Sequence, residues 1–230
     1  AEMTAGLRSG MFRFTYPKSD KAFIMIDMNH TLWQNCEWSN LRMENDSTLT
    51  GYKLVKGWGP ERHVYFTAVF SKKLKNLRIM QDKKPVIYNT SRFRSCYEAW
   101  GKNLMACISF AAEEGEEVIV KTSVSAVSTA GATLNLQELN GMTFDALREK
   151  GVGLWEKELS KYQIEAQPEV KEAFYTAAYR AALHPFVFQD ADGQFRGLDK
   201  NIEKAEGFTN YTVFSLWDTY RALHPWFNLV

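Results

Sequence analysis

The chain has 230 residues, 45% of them hydrophobic, with 28 Lys plus Arg against 27 Asp plus Glu and a net charge of +1. This length admits one large domain or two small ones with cores of their own, and so even a charge balance argues against nucleic acid or an anionic membrane surface as a partner. The bias is aromatic, with 7 Trp, 10 Tyr and 15 Phe, rings that fill large β-sandwich cores and also face sugars.

The opening, AEMTAGLRSGMFRFTYP, has no initiator Met, no charged leader region and no apolar leader core. It reads as a chain entered partway, and the apolar end HPWFNLV reads the same way, so a piece of a larger protein is expected. Phe12, Phe14 and Tyr16 alternate with Arg13 and Thr15, the period of a half-buried strand. Pro17 and the residues after it make a turn. KAFIMIDMNH follows as a buried strand ending in polar Asp27, Asn29 and His30. Residues 48–80 read as two strands around a Gly57–Pro60 loop. Leu104–Ala111 and Val118–Val127 flank an acidic turn and have the pattern of a hairpin. Many short strands with no helix between them predict an antiparallel sandwich. Cys36, Cys96 and Cys107 are odd in number and irregular in spacing, which gives neither a disulfide framework nor a metal knuckle and leaves one bridge or none. No apolar run approaches the ~18 residues of a membrane span.

From about Ala130 a helical period takes over. TAGATLNLQEL is a short helix or a linker. TFDALREKGVGLWEKELSKY is a helix with Thr143 or Asp145 as N-cap and a stripe broken around Gly151 and Gly153. Pro168 with Glu169 opens the next helix, which ends near Pro185. A polar loop, Gln189–Gly207, leads to a last helix over about Asn210–His224. YRAALHP at Tyr179 recurs as YRALHP at Tyr220, with the two prolines 40 residues apart. The echo fits stacked helix pairs and equally fits chance likeness of two amphipathic helices.

The common catalytic motifs are missing: there is no phosphate-binding Gly loop, no Gly-x-Ser-x-Gly, no Cys-x-x-Cys and no His-Glu-x-x-His. Asp190, Asp192 and Gly193 superficially look like a calcium loop but lack the rest of the ligand pattern, and a solvated loop is the better reading. His184 and His224 precede prolines at helix ends, where an imidazole meets the last carbonyls. Trp217 and Asp218 sit in the middle of an apolar helix. In one reading Trp217 is core and Asp218 pairs with Arg221 on the surface. In the other the pair lines a pocket, where the indole is the floor under a sugar ring and the carboxylate accepts from its hydroxyls.

GFTNYTVFSLWDTYRALHP, Gly207–Pro225, resembles the hallmark stretch of the α-mannosidases of glycoside hydrolase family 92. GWGPERHVYFTAVFSKKL, SVSAVSTAGATLNLQEL and AFYTAAYRAALHPFVFQDADGQFRG resemble, in that order along the chain, other segments of that family. The resemblance implies an α+β multidomain fold: part of an N-terminal antiparallel β-sandwich over 1–138, linker helices over 139–166, and the first helices of an (α/α)6 toroid over 167–230. It also implies an exo-acting, calcium-dependent hydrolase that cleaves α-1,2-linked mannose with inversion and is secreted or periplasmic. Its partner would be a mannose-containing glycan. Trp217 and Asp218 would lie on the sugar-facing rim, with Arg221 orienting Asp218, and with Arg196 and Asp199 of the preceding loop as further candidates. Family members are several times longer. The general acid and base, which inverting enzymes hold ~6.5–9.5 Å apart, and most of the calcium site are expected outside this chain. No catalytic residue and no metal ligand is therefore assigned, and the chain alone is expected to be inactive. The alternative is a self-contained, non-catalytic carbohydrate-binding module.

Overall fold

The computed structural model describes residues 1–57, 59–74, 76–86 and 98–229. Trp58 and Cys96 lie outside the described residues. Within them, two antiparallel sheets share one core. The larger runs in the order β1 (Glu2–Ala5), β2 (Ser9–Tyr16), β11 (Glu116–Ser125), β6 (Arg62–Phe70), β5 (Thr48–Lys56), β4 (Asn35–Met43) and β9 (Glu98–Gly101). The smaller runs β3 (Ser19–Asp27), β10 (Leu104–Ala112), β7 (Leu77–Gln81) and β8 (Lys84–Pro85). Alternate residues of both sheets point into the layer between them. Leu41, Leu49, Leu104 and Ile108 are sealed there, each contributing ~1.5–3 kcal/mol by burial.

Several strands depart from the sequence expectation. β10 and β11 are not a hairpin: β10 pairs with β3 and β7, while β11 pairs with β2 and β6 in the other sheet. Their alternation is compatible with either arrangement, because it fixes which face is buried and not which strand lies alongside. β3 turns one face to the second sheet and the other to solvent, so Ala22 and Ile24 are buried while Phe23 and Met25 are exposed. β4 has no clear apolar period, since its buried positions include Ser39 and Asn40, whose side chains donate to the carbonyls of Gly101 and Ala99. β2 is covered on both faces. Phe12, Phe14 and Tyr16 pack on the sandwich core, and Met11 packs on the other side with Leu139, Phe144 and Leu147.

That second face is covered by the segment after β11. Helix α1 (Thr129–Asn135) is capped by the Ser128 hydroxyl, which accepts from the Gly131 N–H, and runs on into a 3₁₀ turn, Leu136–Leu139. Gly131 and Ala132 let the helix approach closely, so that the Ser123 hydroxyl donates to Ala132 O at 2.5 Å and the Thr67 and Thr133 hydroxyls meet at 2.9 Å. Glu138 accepts from the N–H groups of Arg8 and Ser9 and from the Ser9 hydroxyl.

Thr143, not Asp145, caps α2 (Phe144–Leu159), accepting from the Ala146 N–H at 3.2 Å. Asp145 instead pairs with Arg13 at 3.0 Å, whose guanidinium lies 4.3 Å from the Phe144 ring. α2 continues through Gly151 and Gly153 without a break. Pro168 starts α3 (Pro168–Ala182), which ends before His184-Pro185. The stretch read as one polar loop contains a hairpin, β12 (Gln194–Arg196) with β13 (Ile202–Lys204). The expected last helix is two short ones, α4 (Leu216–Thr219) and α5 (Leu223–Phe227). The echo is therefore not structural: Tyr179–Ala182 finish a long helix, whereas Tyr220–Ala222 are a turn and Pro225 lies inside α5.

Candidate functional site

After α3 the chain runs antiparallel to the stretch that precedes α4. The Phe188 N–H donates to Asn210 O at 2.8 Å, the Thr212 N–H donates to Phe186 O at 3.0 Å, and Val187 faces Tyr211. The hairpin β12–β13 leaves this stem and returns to it. Asn210 closes the base, its Nδ2 donating to Phe188 O at 2.7 Å and its N–H donating to Gln189 Oε1 at 2.6 Å.

The stem delivers Phe214 into a ring cluster. His184 and His224 lie 5.0 and 5.2 Å from it and Phe227 lies 6.0 Å away. His184 Nε2 is 3.0 Å from Val213 O, and His224 Nε2 is 2.8 Å from the Thr219 hydroxyl. Both histidines thus brace this cluster instead of meeting the last carbonyls of the helices that precede them.

Phe214 comes before the N-cap Ser215, whose backbone is extended, so its side chain is out of phase with α4 and turns inward. Leu216 and Trp217 turn outward, and the Trp217 indole is 84% exposed, which rules out the core reading of that residue in this chain. The Asp218 carboxylate is exposed and makes no hydrogen bond or ion pair with any described residue. Arg221 does not reach it. The helix ends at Thr219, and the turn carries Arg221 onto Tyr220, where Nε donates to the phenol oxygen at 2.8 Å.

Arg196 and Asp199 serve the hairpin. Arg196 Nε donates to Ala126 O at 2.9 Å and Nη1 to Lys200 O at 2.9 Å, tying the hairpin to the end of the sandwich. Asp199 accepts from the Asn201 N–H at 3.0 Å and from Asn201 Nδ2 at 2.6 Å. These bonds hold its carboxyl below the usual range. Among the described residues no hydrogen bond or ion pair links Asp199 to Trp217, Asp218 or Arg221. Trp217 and Asp218, neighbours on α4, are thus both exposed, and among the described residues the Asp218 carboxylate has no hydrogen-bond or ion-pair partner, while Arg221 is held on Tyr220. The indole offers an apolar face to a ring bearing C–H groups, and the carboxylate accepts from hydroxyls.

Two clefts lie elsewhere. One, of about 440 Å³, is lined by Met11, Arg13, Lys121 and Phe144 among others. The other, of about 580 Å³, is an open face of α3 from Glu169 to Arg180. Neither includes Trp217, Asp218, Arg221 or Asp199.

Among the described residues the side-chain carboxylates do not assemble into a calcium site. Among the described residues no group of three or more His, Cys, Asp or Glu converges. Asp192 accepts from the backbone N–H and side-chain amide of Gln194. Asp190, which the sequence reading placed in a solvated loop, is only 4% exposed and faces Ser125 and Asn135. Burial pushes its carboxyl up, while those two bonds pull it down. A polar Asp-Ala-Asp-Gly run carries no signal that one of its carboxylates turns inward. Cys36 and Cys107 are free thiols, and burial raises the Cys36 thiol. No described helix is long and apolar enough to cross a membrane.

The sequence model of the glycosyl hydrolase family 92 N-terminal domain matches residues 1–125, and that of the family's catalytic domain matches residues 131–230. The chain belongs to glycoside hydrolase family 92. The step between the two matches falls between the end of β11 and the first turn of α1. The chain aligns with a family 92 α-mannosidase from Bacteroides thetaiotaomicron at a TM-score of 0.95 and 80% identity, over 98% of this chain and 31% of that one. The same enzyme in complex with mannoimidazole gives a TM-score of 0.94 at 80% identity, over 98% of this chain and 30% of that one. An inverting family 92 mannosidase from that organism, 20% identical, aligns at a TM-score of 0.83 over 98% of this chain and 30% of its own, a likeness of fold. A search of curated proteins found no match. The chain spans about a third of the length of these family 92 structures.

Proposed function

We propose that this chain is a portion of a family 92 exo-α-mannosidase, carrying sequence of its N-terminal sandwich and of its catalytic domain. The observation that supports this most is the 80% identity over 98% of the chain to an α-mannosidase whose structure is known in complex with mannoimidazole. On this reading the enzyme is secreted or periplasmic and hydrolyses α-1,2-linked mannose with inversion. It uses a calcium ion held by residues outside this chain. Trp217 and Asp218 contact the terminal mannose, the indole beneath the ring and the carboxylate on its hydroxyls. Arg221 and Asp199 stand as further contacts that would have to turn from their present partners. The chain alone turns over no α-mannoside, because general acid–base catalysis contributes ~10²–10⁴-fold and neither group is assigned here.

The exposed Asp218 carboxylate and Trp217 indole favour this over a surface ion pair with a core tryptophan. The test is Asp218→Ala in the full-length enzyme. It should leave the thermal midpoint almost unchanged and lower kcat/KM for an α-mannoside by ~10²-fold, since a charged hydrogen bond to a sugar contributes ~1.5–3 kcal/mol and positioning adds to it. An unchanged kcat/KM would remove Asp218 from the substrate.

A further inference from the structure

Asp190 is the one carboxylate among the described residues that is buried. It sits where the end of β11, helix α1 and the entry to the β12–β13 hairpin meet. The Ser125 hydroxyl accepts from the N–H groups of Val127 at 2.9 Å and Ser128 at 3.2 Å. Both of its lone pairs are used, so its single proton goes to Asp190 Oδ2 at 2.6 Å. Asn135 Oδ1 accepts from the Ala191 N–H at 2.8 Å, which fixes the orientation of that amide. Its Nδ2 donates to Val124 O at 2.9 Å and to Asp190 Oδ1 at 2.8 Å. Both side chains that face Asp190 therefore present a donor to it: the Ser125 oxygen has no lone pair left, and the Asn135 Oδ1 is turned away, onto the Ala191 N–H.

The consequence is a demand on chemistry as well as shape. An amide at position 190 fills the same space. It must aim its NH₂ at Ser125 or at Asn135, where a donor already points, and an unsatisfied buried donor is costly. The adjacent Gln189 carries the link onward. Its backbone oxygen accepts from Arg8 Nε at 2.7 Å, and its side-chain oxygen accepts the Asn210 N–H at the base of the stem.

We propose that Asp190 is an anionic positioning residue: it clasps the 189–205 hairpin against the sandwich, holds through Gln189 the stem leading to Trp217 and Asp218, and works only as a carboxylate. Its coupling to the substrate rests on the mannosidase reading above; its coupling to the hairpin does not.

The test compares Asp190→Asn, Asp190→Ala and the double variant Asn135→Asp with Asp190→Asn, all in the full-length protein. Amide hydrogen exchange of peptides spanning 189–205 is the first readout. The amide variant should protect no better than the alanine variant, both exchanging about tenfold faster than the parent or more. The double variant, which sets an acceptor opposite the introduced amide, should recover part of the protection. An Asp190→Asn protein within about twofold of the parent overturns the proposal. If neither single variant folds, a soluble and protected double variant supports it and an insoluble one overturns it. The second readout is the KM of an α-mannoside, which should rise by about tenfold in Asp190→Asn with a smaller change in kcat. Lost protection with unchanged KM overturns the coupling to Trp217 and Asp218. A parent protein that hydrolyses no α-mannoside sinks the mannosidase reading alone, and the exchange measurement still decides the clasp.

Discussion

In the sandwich, Leu41, Leu49 and Leu104 are completely sealed, whereas in the helical half Leu154, Leu216 and Trp217 stand 60%, 67% and 84% exposed. A sheet buries one face only against a second layer, and here both layers lie within the first 125 residues or so. The helices have the sheet under their first part only: Phe144 and Leu147 of α2 are buried on it, while α3 buries Ala178 alone. The difference teaches that an apolar stripe marks where a partner layer belongs and does not itself bring one. The chain is about a third as long as its family 92 relatives, and the helical half is the part whose packing should change most in a longer protein.

Truncation separates the two regions most sharply. Leu41→Ala should destabilise this chain by ~2–5 kcal/mol, through lost transfer energy and a cavity that cannot fully collapse. Leu154→Ala should stay within ~0.5 kcal/mol. Urea unfolding followed by circular dichroism reads both, and equal costs would erase the distinction. In a chain extended to the length of its relatives, the cost at Leu154 should rise as further helices cover it.

The seam between the regions gives the next effect. A Cβ on Gly131 would lie 2.0 Å from Asp190 Oδ2 and 2.8 Å from Ser125 Oγ. Gly131→Ala should therefore destabilise by ~1–3 kcal/mol, although alanine is ~1 kcal/mol the better helix former at an open site. A stabilised variant, seen as a raised thermal midpoint, would mean that the clasp yields easily. Gly153, with nothing within 4 Å of an added Cβ, is the control and should gain stability on the same change.

At the start of α2, Thr143→Ala removes the hydroxyl that takes the Ala146 N–H and should cost ~1 kcal/mol. An equal loss at Asp145, the other candidate cap, would show that its pairing with Arg13 matters as much as the cap does.

The smallest effect is a pH slope. Burial first, and then the Arg196 guanidinium, press the His63 imidazolium below its ordinary value of 6.5, with Glu61 opposing and Lys200 assisting. Below 6.5 the unfolded chain therefore takes up this proton before the folded one does. Stability is fully present above that pH and declines as pH falls below it. His63→Gln should flatten the slope just below pH 6.5, as measured by urea midpoints across that range, and an unchanged slope would assign it to other groups.

Much of this was legible in the residues. The period-two runs at Phe12–Tyr16 and Leu104–Ala111 are strands, Pro168 opens a helix, and the Gly207–Pro225 stretch points to the family. Trp217 and Asp218 stand out in the residues because an indole beside a carboxylate is unusual in an apolar stretch. Their exposure was not legible, since it follows from Phe214 taking the inward place one residue before the N-cap.

The sequence by itself determined local matters: which residues alternate, where a proline starts a helix, and which family the order of segments resembles. These depend on side chains a few positions apart, whose geometry the backbone period fixes. Only the tertiary structure decided that β10 and β11 belong to opposite sheets and that Met11 is covered by residues 139–147. It alone turned Asp190 from a polar loop onto Ser125 and Asn135. Each of these joins positions far apart in the chain, and the choice between partners of similar local pattern is made by the shape and unsatisfied hydrogen bonds of the surface they meet.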